Sequence, residues 1–353
     1  MSDELYMQRC FDLARRGAGR VSPNPMVGAV LVFGDKIIGE GWHRAWGGAH
    51  AEVHCINAVS VEDRPFISKS TLFCSLEPCA HVGKTPPCVD LVLQHRIPRV
   101  VVSNVDPNPL VSGQSLAKLR AAGVSVVEGV LAVEGRWLNR FFFTWMGQKR
   151  PFVILKWAQS GDAFLGKTGI KTPISSPVAQ RLVHRWRAET DAILVGAGTV
   201  MVDNPKLDVR LYHGKNPLRV MLDGRGRVTA DRHLLDDTEP TLIFSPHVSG
   251  GNSLKTIVPT YGDAALAGVL DILSRANCAS VLVEGGAQVL QQFMDLGLWD
   301  EIRVIENPQR LGSGVSAPML PSAAELKTSF GVGPDTVSIF SRKQDCHWLG
   351  GRV

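Results

Sequence analysis

Apolar and polar positions change period repeatedly along this chain, between the spacing of helices and the runs of buried strands. That alternation predicts an α/β layered protein with central sheets. Tyr6, Cys10 and Leu13 recur on one helical face, so a helix is expected over about 4–16. Short runs rich in β-branched residues predict strands at 27–33, 71–75 and 99–103. Helices are expected after His50, after Cys79 and over about 115–122. The segment Trp145-Met146-Gly147-Gln148-Lys149-Arg150-Pro151 is polar and closed by proline, and reads as a seam between two halves. Past it, strands are expected at 152–156, 192–195, 218–222, 241–244 and 280–283, with helices near 177–187 and 264–276. Glu284-Gly285-Gly286 then opens a helix to Leu296. The last forty residues carry no usable motif.

Composition narrows the class. The chain has 353 residues, enough for two domains, with 44% hydrophobic and 20% charged residues, a globular balance. No run of 18 apolar residues predicts a transmembrane helix. The start, Met1-Ser2-Asp3-Glu4, lacks a signal-peptide pattern, and seven cysteines form no disulfide framework, so a cytoplasmic location is expected. A net charge of +5 suits an anionic small molecule without demanding nucleic acid.

The chemistry concentrates in His50-Ala51-Glu52, Pro78-Cys79 and Pro86-Pro87-Cys88. One imidazole and two thiolates are three protein ligands for a tetrahedral zinc ion, with the fourth position left for water. Glu52 remains to carry protons, as in zinc nucleobase deaminases. Those enzymes space their cysteines Cys-x-x-Cys. Here eight residues intervene, in a polar, proline-rich loop able to fold back. His54 stands four residues after His50, as in His-Glu-x-x-His proteases, but Glu52 is one place too late for that motif, so His54 is expected to pack on its helix. Helical positions two apart differ by about 200°. His50 and Glu52 can therefore converge only at a helix start, which Gly47-Gly48 would permit. Pro78 suits the first turn of a second helix carrying Cys79. In the second half the strand–Gly-Gly–helix step at 280–296 is a candidate phosphate site. Gly196-Ala197-Gly198-Thr199 lacks the full dinucleotide fingerprint.

Residues 23–110 resemble the deaminase half of the bifunctional riboflavin biosynthesis proteins. The resemblance runs through Pro23-Asn24-Pro25-Met26-Val27-Gly28-Ala29-Val30, Gly39-Glu40-Gly41-Trp42-His43, the zinc motif, and Asp106-Pro107-Asn108-Pro109. The long cysteine spacing is that family's own. Residues from 152 to about 310 resemble its reductase half, through Leu155-Lys156-Trp157-Ala158-Gln159-Ser160, Ile174-Ser175-Ser176-Pro177, Arg187-Ala188-Glu189-Thr190-Asp191-Ala192-Ile193-Leu194-Val195-Gly196, Asp203-Asn204-Pro205-Lys206-Leu207-Asp208-Val209-Arg210 and Glu284-Gly285-Gly286.

The resemblance implies a cytidine-deaminase-like three-layer domain over 1–147 and a dihydrofolate-reductase-like domain over 151–353. It implies zinc on His50, Cys79 and Cys88, with Glu52 as acid/base. Asn24, His43 and Lys84 would hold the deaminase substrate. Ala158, Thr199, Asp203 and Gly286 would contact NADPH, and Lys171, Arg187, Leu207, Arg210 and Glu284 the reductase substrate. An arginine fork can clamp a phosphate by two parallel bonds. Lys156 would hydrogen-bond near the sugar. The substrate implied is 2,5-diamino-6-(5-phosphoribosylamino)pyrimidin-4-one, deaminated at its 2-amino carbon by an activated water and then reduced on its ribosyl group to ribityl. A homodimer through the second half is the family expectation.

The chain departs from the family at Ser160-Gly161-Asp162-Ala163, where Ser-x-Asp-Gly is usual, at Pro173, where tryptophan is common, and at Lys171, where a small polar residue is common. Two rivals remain. One is a nucleic-acid or nucleoside deaminase with an inactive or binding-only second domain, which would want a basic patch and stacking aromatics. The other is a structural zinc module, with His81 as fourth ligand, joined to a nucleotide-sensing domain.

Overall fold

The computed structural model describes residues 2–80, 86–108, 112–236, 238–245, 250–251, 255–258 and 265–343. The chain divides into two compact units, Met1–Lys149 and Arg150–Val353.

The first unit contains, in chain order, α1 (Asp3–Ala14), β1 (Gly28–Phe33), β2 (Lys36–Trp42), α2 (Ala51–Asn57), β3 (Thr71–Leu76), α3 (Cys88–Gln94), β4 (Arg99–Asn104), α4 (Gln114–Ala121), β5 (Ser125–Val127), α5 (Ala132–Leu138) and α6 (Arg140–Gln148). The sheet order is β2-β1-β3-β4-β5. The β1–β2 and β1–β3 pairs are antiparallel, and β3–β4–β5 run parallel. Successive side chains leave opposite faces of a strand, so each strand feeds two cores. Leu31, Leu72, Cys74 and Val100 pack with Cys55 and Ile56 of α2, Val89 and Val92 of α3, and Leu116 and Leu119 of α4. Val30, Val32, Phe73 and Val101 pack instead with Tyr6, Met7, Cys10 and Phe11 of α1. The result is three layers.

Two glycines set the seat of α2. A Cβ on Gly41 would lie 2.3 Å from the Cys55 nitrogen and 2.4 Å from the Ala51 carbonyl oxygen, and one on Gly39 would lie 2.5 Å from the Cys55 carbonyl oxygen. The helix backbone rests directly on β2, which only a missing side chain allows.

The second unit contains β6 (Phe152–Ser160), β7 (Phe164–Gly166), α7 (Pro177–Glu189), β8 (Ala192–Gly196), α8 (Ala197–Asp203), β9 (Leu218–Leu222), β10 (Thr241–Phe244), β11 (Gly250–Gly251), β12 (Lys255–Val258), α9 (Ala265–Arg275), β13 (Ser280–Val283), α10 (Ala287–Asp295), β14 (Glu301–Asn307), β15 (Val315–Ser316), β16 (Ala324–Val332) and β17 (Asp335–Arg342). Ten of its described strands form one sheet in the order β11-β12-β10-β9-β8-β13-β6-β14-β17-β16, and β15 pairs with β7 apart from it. From β12 to β14 neighbours are parallel, and β17 and β16 then pair antiparallel. Val153, Leu155, Leu194, Val281 and Val283 share a core with Val269, Leu270 and Leu273 of α9 and Leu290 and Phe293 of α10. Ile193, Val195, Met221 and Ile243 form a second core with Val200 of α8.

The α/β class expected of both halves holds. Two local expectations do not. The second helix of the zinc motif does not carry Cys79. Residues 77–80 are irregular, and α3 starts at Cys88 behind Pro87. The physical reason is Glu77, whose carboxylate accepts bonds from the main-chain N–H groups of Asp106 (3.1 Å), Gly113 (2.9 Å) and Ser115 (3.2 Å), and from Ser115 Oγ (2.7 Å). That grip ties the end of β3 to the 106–115 segment. The expected seam is also partly helical, because Trp145 to Gln148 complete α6. Half-buried aromatic residues continue that helix to Gln148, and the turn follows at Lys149, whose φ is +56°.

Candidate active sites

In the first unit the helix start does what the spacing of His50 and Glu52 requires. His50 caps α2 in an extended conformation (φ −74°, ψ 167°), and Glu52 is the second helical residue. Cys79 lies just past β3, and Cys88 is the first residue of α3. Cys79 is the outside cap of α3. Its sulfur accepts the Cys88 N–H (3.3 Å) and its carbonyl accepts the Val89 N–H (3.2 Å). Both thiols lie 3.4 Å from His50 Nδ1, and the three atoms fall within 4.8 Å of one another. Tetrahedral zinc with one nitrogen and two sulfurs would separate nitrogen from sulfur by about 3.6 Å. The donor set therefore fits zinc. Hydrogen bonding with Cys88 and the nearby His50 hold the Cys79 thiol far below its usual range, down to about 4.

Glu52 is only 3% exposed, and burial pushes its carboxyl above the usual range. Its neighbours are His50 and the two thiols. The ring of His43 stands edge-on to that of His50, with centroids 5.6 Å apart. The Asn24 amide donates to His43 Nε2 (3.3 Å), and His43 Nδ1 donates to the Ala49 carbonyl (3.0 Å). Burial keeps the His43 ring's pKa below its usual value. Asn24, His43, His50, Glu52, Cys79 and Cys88 thus share one corner of the unit. His54 lies on α2, partly exposed and outside the ligand set. Lys84 and His81 lie outside the described residues.

Asn139 carried no motif signal, yet it fixes the loop holding Asn24. Its side chain accepts the Met26 N–H (2.8 Å) and donates to the Met26 carbonyl (2.9 Å). Glu77 directly precedes the Pro78-Cys79 pair, but its role as the anchor of 106–115 depends on residues about thirty positions away.

In the second unit one cavity of about 610 Å³ gathers the residues expected to contact cofactor and substrate: Ala158, Lys171, Arg187, Thr199, Asp203, Leu207, Arg210, Glu284 and Gly286. It opens at the carboxyl ends of β8, β13 and β6, where ligands bind in parallel sheets. Gly286 caps α10, and a Cβ there would stand 3.3 Å from Thr199 Oγ1, in tight contact. A bare turn, a helix start and surrounding cations suit a phosphorylated dinucleotide.

Arg187 does not offer a free fork. Its Nε and Nη2 hold the two oxygens of Glu284 at 2.9 and 2.8 Å, and Lys156 Nζ lies 3.8 Å from the same carboxylate. Arg210 is exposed, and its guanidinium pairs with the carboxylate of Asp208. Burial works to raise the Glu284 pKa, but Arg187 and Lys156 outweigh it and hold it at about 2. Burial depresses the Lys156 ammonium. Lys171 Nζ donates to the Asp203 carbonyl (3.1 Å). Pro173 lines the same wall.

Ala163, where the family has glycine, adopts φ +61°. The turn is fixed around it. Ala163 N–H donates to the Ser160 carbonyl (2.9 Å), and Asp162 accepts from the N–H groups of Leu311 (3.1 Å) and Gly312 (2.8 Å).

Known proteins match both units of the chain. Residues 1–104 match the cytidine and deoxycytidylate deaminase zinc-binding region, and residues 151–339 match the RibD C-terminal domain. The riboflavin biosynthesis protein RibD of Aquifex aeolicus is 38% identical over 321 residues, covering 89% of each chain. This chain belongs to the RibD family. The Escherichia coli RibD is 34% identical, over 89% of each chain. A crystal structure from Thermotoga maritima, a diaminohydroxyphosphoribosylaminopyrimidine deaminase/5-amino-6-(5-phosphoribosylamino)uracil reductase, superposes with a TM-score of 0.88 at 34% identity, covering 96% of this chain and 98% of that one. Like its RibD relatives, the chain is a bifunctional enzyme of riboflavin biosynthesis, with a zinc-dependent deaminase region and a reductase domain. Among the described residues no helix is long and apolar enough to cross a membrane.

Proposed function

We propose that the first unit deaminates 2,5-diamino-6-(5-phosphoribosylamino)pyrimidin-4-one and that the second reduces the ribosyl group of the product to ribityl. The observation that carries the first half is the meeting of His50 Nδ1, Cys79 Sγ and Cys88 Sγ beside the buried Glu52. When bound, zinc makes water a nucleophile near neutral pH. Glu52 takes the proton of that water, then delivers protons to the ring nitrogen and to the departing amine, which leaves as ammonia. Asn24 and His43 orient the pyrimidine, joined by Lys84. The His43 Nδ1–H bond to Ala49 leaves Nε2 and the Asn24 amide as the polar pair at the ring.

NADPH supplies hydride for the second step. Ala158, Thr199, Asp203 and the Gly286 turn hold it, while Arg187, Leu207, Arg210, Lys171 and Glu284 seat the substrate, all around one cavity. Lys156 lies against Glu284 and can hydrogen-bond the open sugar. Lys156, Lys171, Arg187 and Arg210 give the cavity a cationic lining, which favours a phosphorylated ligand over a neutral one. The same reading includes a homodimer built through the second unit and a cytoplasmic location, where the six described free cysteines would stay reduced.

The test is incubation of the pure protein with the diaminopyrimidinone phosphate, with and without NADPH, and identification of products by mass. Deamination alone without NADPH, followed by reduction on its addition, is expected. Glu52→Gln should keep zinc and lose ammonia release, while reduction of pre-deaminated substrate survives. Retained ammonia release would remove Glu52 from its role.

A further inference from the structure

Three bonds pin the main chain that carries Arg210. Arg187 Nη1 donates to the Asp208 carbonyl (3.1 Å), the Val209 N–H donates to Asn216 Oδ1 (2.8 Å), and the Arg210 N–H donates to His184 Nδ1 (3.2 Å). The segment leaves a turn at Leu207, which has φ +58° and a buried side chain, so it has little freedom of its own. His184 and Arg187 lie one turn apart on α7 and face the same stretch. His184 is 3% exposed and forms part of the cavity wall. Accepting at Nδ1 requires a neutral ring with its proton on Nε2. Burial first, then the charges of Arg187 and Arg210, hold the ring in that form down to about 4, against the opposing pull of Asp208 and Glu284.

We propose that His184 is a positioning residue for the reduction: by holding the Arg210 main chain, it fixes where the exposed Arg210 guanidinium meets the phosphate of the substrate. No motif in the chain marks His184. Its role follows from the bond across to residue 210. The proposal rests on the reading of Arg210 as a substrate contact.

The test is steady-state reduction of the pre-deaminated phosphorylated pyrimidine by the full chain with NADPH. His184→Leu leaves the Arg210 N–H without an acceptor. It should raise the KM for the pyrimidine about tenfold, because a part-buried donor left unpaired lets the main chain at Arg210 shift. The kcat and the KM for NADPH should stay within about twofold, because the lost contact concerns substrate docking alone. His184→Asn places Oδ1 near the position of Nδ1 and should recover most of the affinity. Arg210→Ala should raise the same KM, and adding His184→Leu to it should change little more, since one acts through the other. Equal damage from the leucine and asparagine variants overturns the proposal. So does a double variant in which the two effects add in full. An unchanged KM for Arg210→Ala alone removes the assignment of Arg210 itself, and the role of His184 with it. A rise for Arg210→Ala with full additivity removes only the role of His184.

Discussion

Arg187 turns the Nε–Nη2 edge of its guanidinium on Glu284, with Nε 2.9 Å from one oxygen and Nη2 2.8 Å from the other. Both side chains are about nine-tenths buried, and Lys156 adds a second cation. The carboxylate therefore balances two buried positive charges. Glu284→Gln keeps the shape and removes the charge. A broken buried pair typically costs about 3–5 kcal/mol. Urea unfolding of the variant should show a loss of that order, together with lost reduction. A stability equal to wild type would mean that solvent screens the pair far more than its burial implies.

Ala163 sits at φ +61°, a region that costs an L-residue energy and suits glycine. The surrounding bonds to Ser160, Leu311 and Gly312 hold it there. Ala163→Gly should stabilise the chain by about 0.5–1 kcal/mol, the relief of strain exceeding the added freedom of the unfolded chain. Scanning calorimetry should place the midpoint about 2–4 °C higher per kcal/mol gained. A lower midpoint would show that the turn carries no strain.

His184 makes the second unit sensitive to mild acid. Its ordinary pKa is near 6.5, and the folded ring, desolvated and beside Arg187 and Arg210, titrates at about 4. Between those values the unfolded chain binds a proton that the folded chain refuses, so stability rises with pH across that window. The contribution is complete above about 6.5 and is lost as pH falls towards about 4. In His184→Asn this part of the pH dependence should disappear. Chemical denaturation at several pH values between those limits would measure it, and an unchanged slope would assign the acid sensitivity elsewhere.

Cys88 sets its sulfur 3.4 Å from His50 Nδ1 and gives the first N–H of α3 to the Cys79 sulfur. Cys88→Ala removes one of three ligands and should leave the purified protein poor in zinc by elemental analysis. Deamination should fall with it, and reduction should persist. Chelation of wild-type protein should reproduce the effect reversibly. Full zinc occupancy in the variant would refute the ligand set.

Gly41 lets the α2 backbone touch β2. Gly41→Ala places a methyl group against that backbone and should cost about 1–3 kcal/mol, the usual range for overpacking. The start of α2 carries His50 and Glu52, so deamination should drop more than reduction. Equal losses of both activities would point to general unfolding.

Much of this was legible in the chain alone. Parallel strands covered on both faces read as continuous apolar runs, and for that reason 218–222, 241–244 and 280–283 were expected where Leu218–Leu222, Thr241–Phe244 and Ser280–Val283 stand. The helix start between His50 and Glu52 followed from helical geometry, and the motif residues of the second half meet around one cavity. β2 escaped notice because its glycines and charges mask its period, and β16 because nearly all its residues are exposed. Pro78 and Pro87 are equally good helix starts on local grounds. Only the bonds from the 106–115 segment to Glu77, and the cap from Cys79, decide for Pro87. Likewise arginine at 187 and at 210 reads the same in the sequence. Tertiary structure alone gives the first a buried partner, Glu284, and leaves the second at the surface beside Asp208, because what an ionic side chain can bind depends on the partner folding places within reach and on how far water screens the pair.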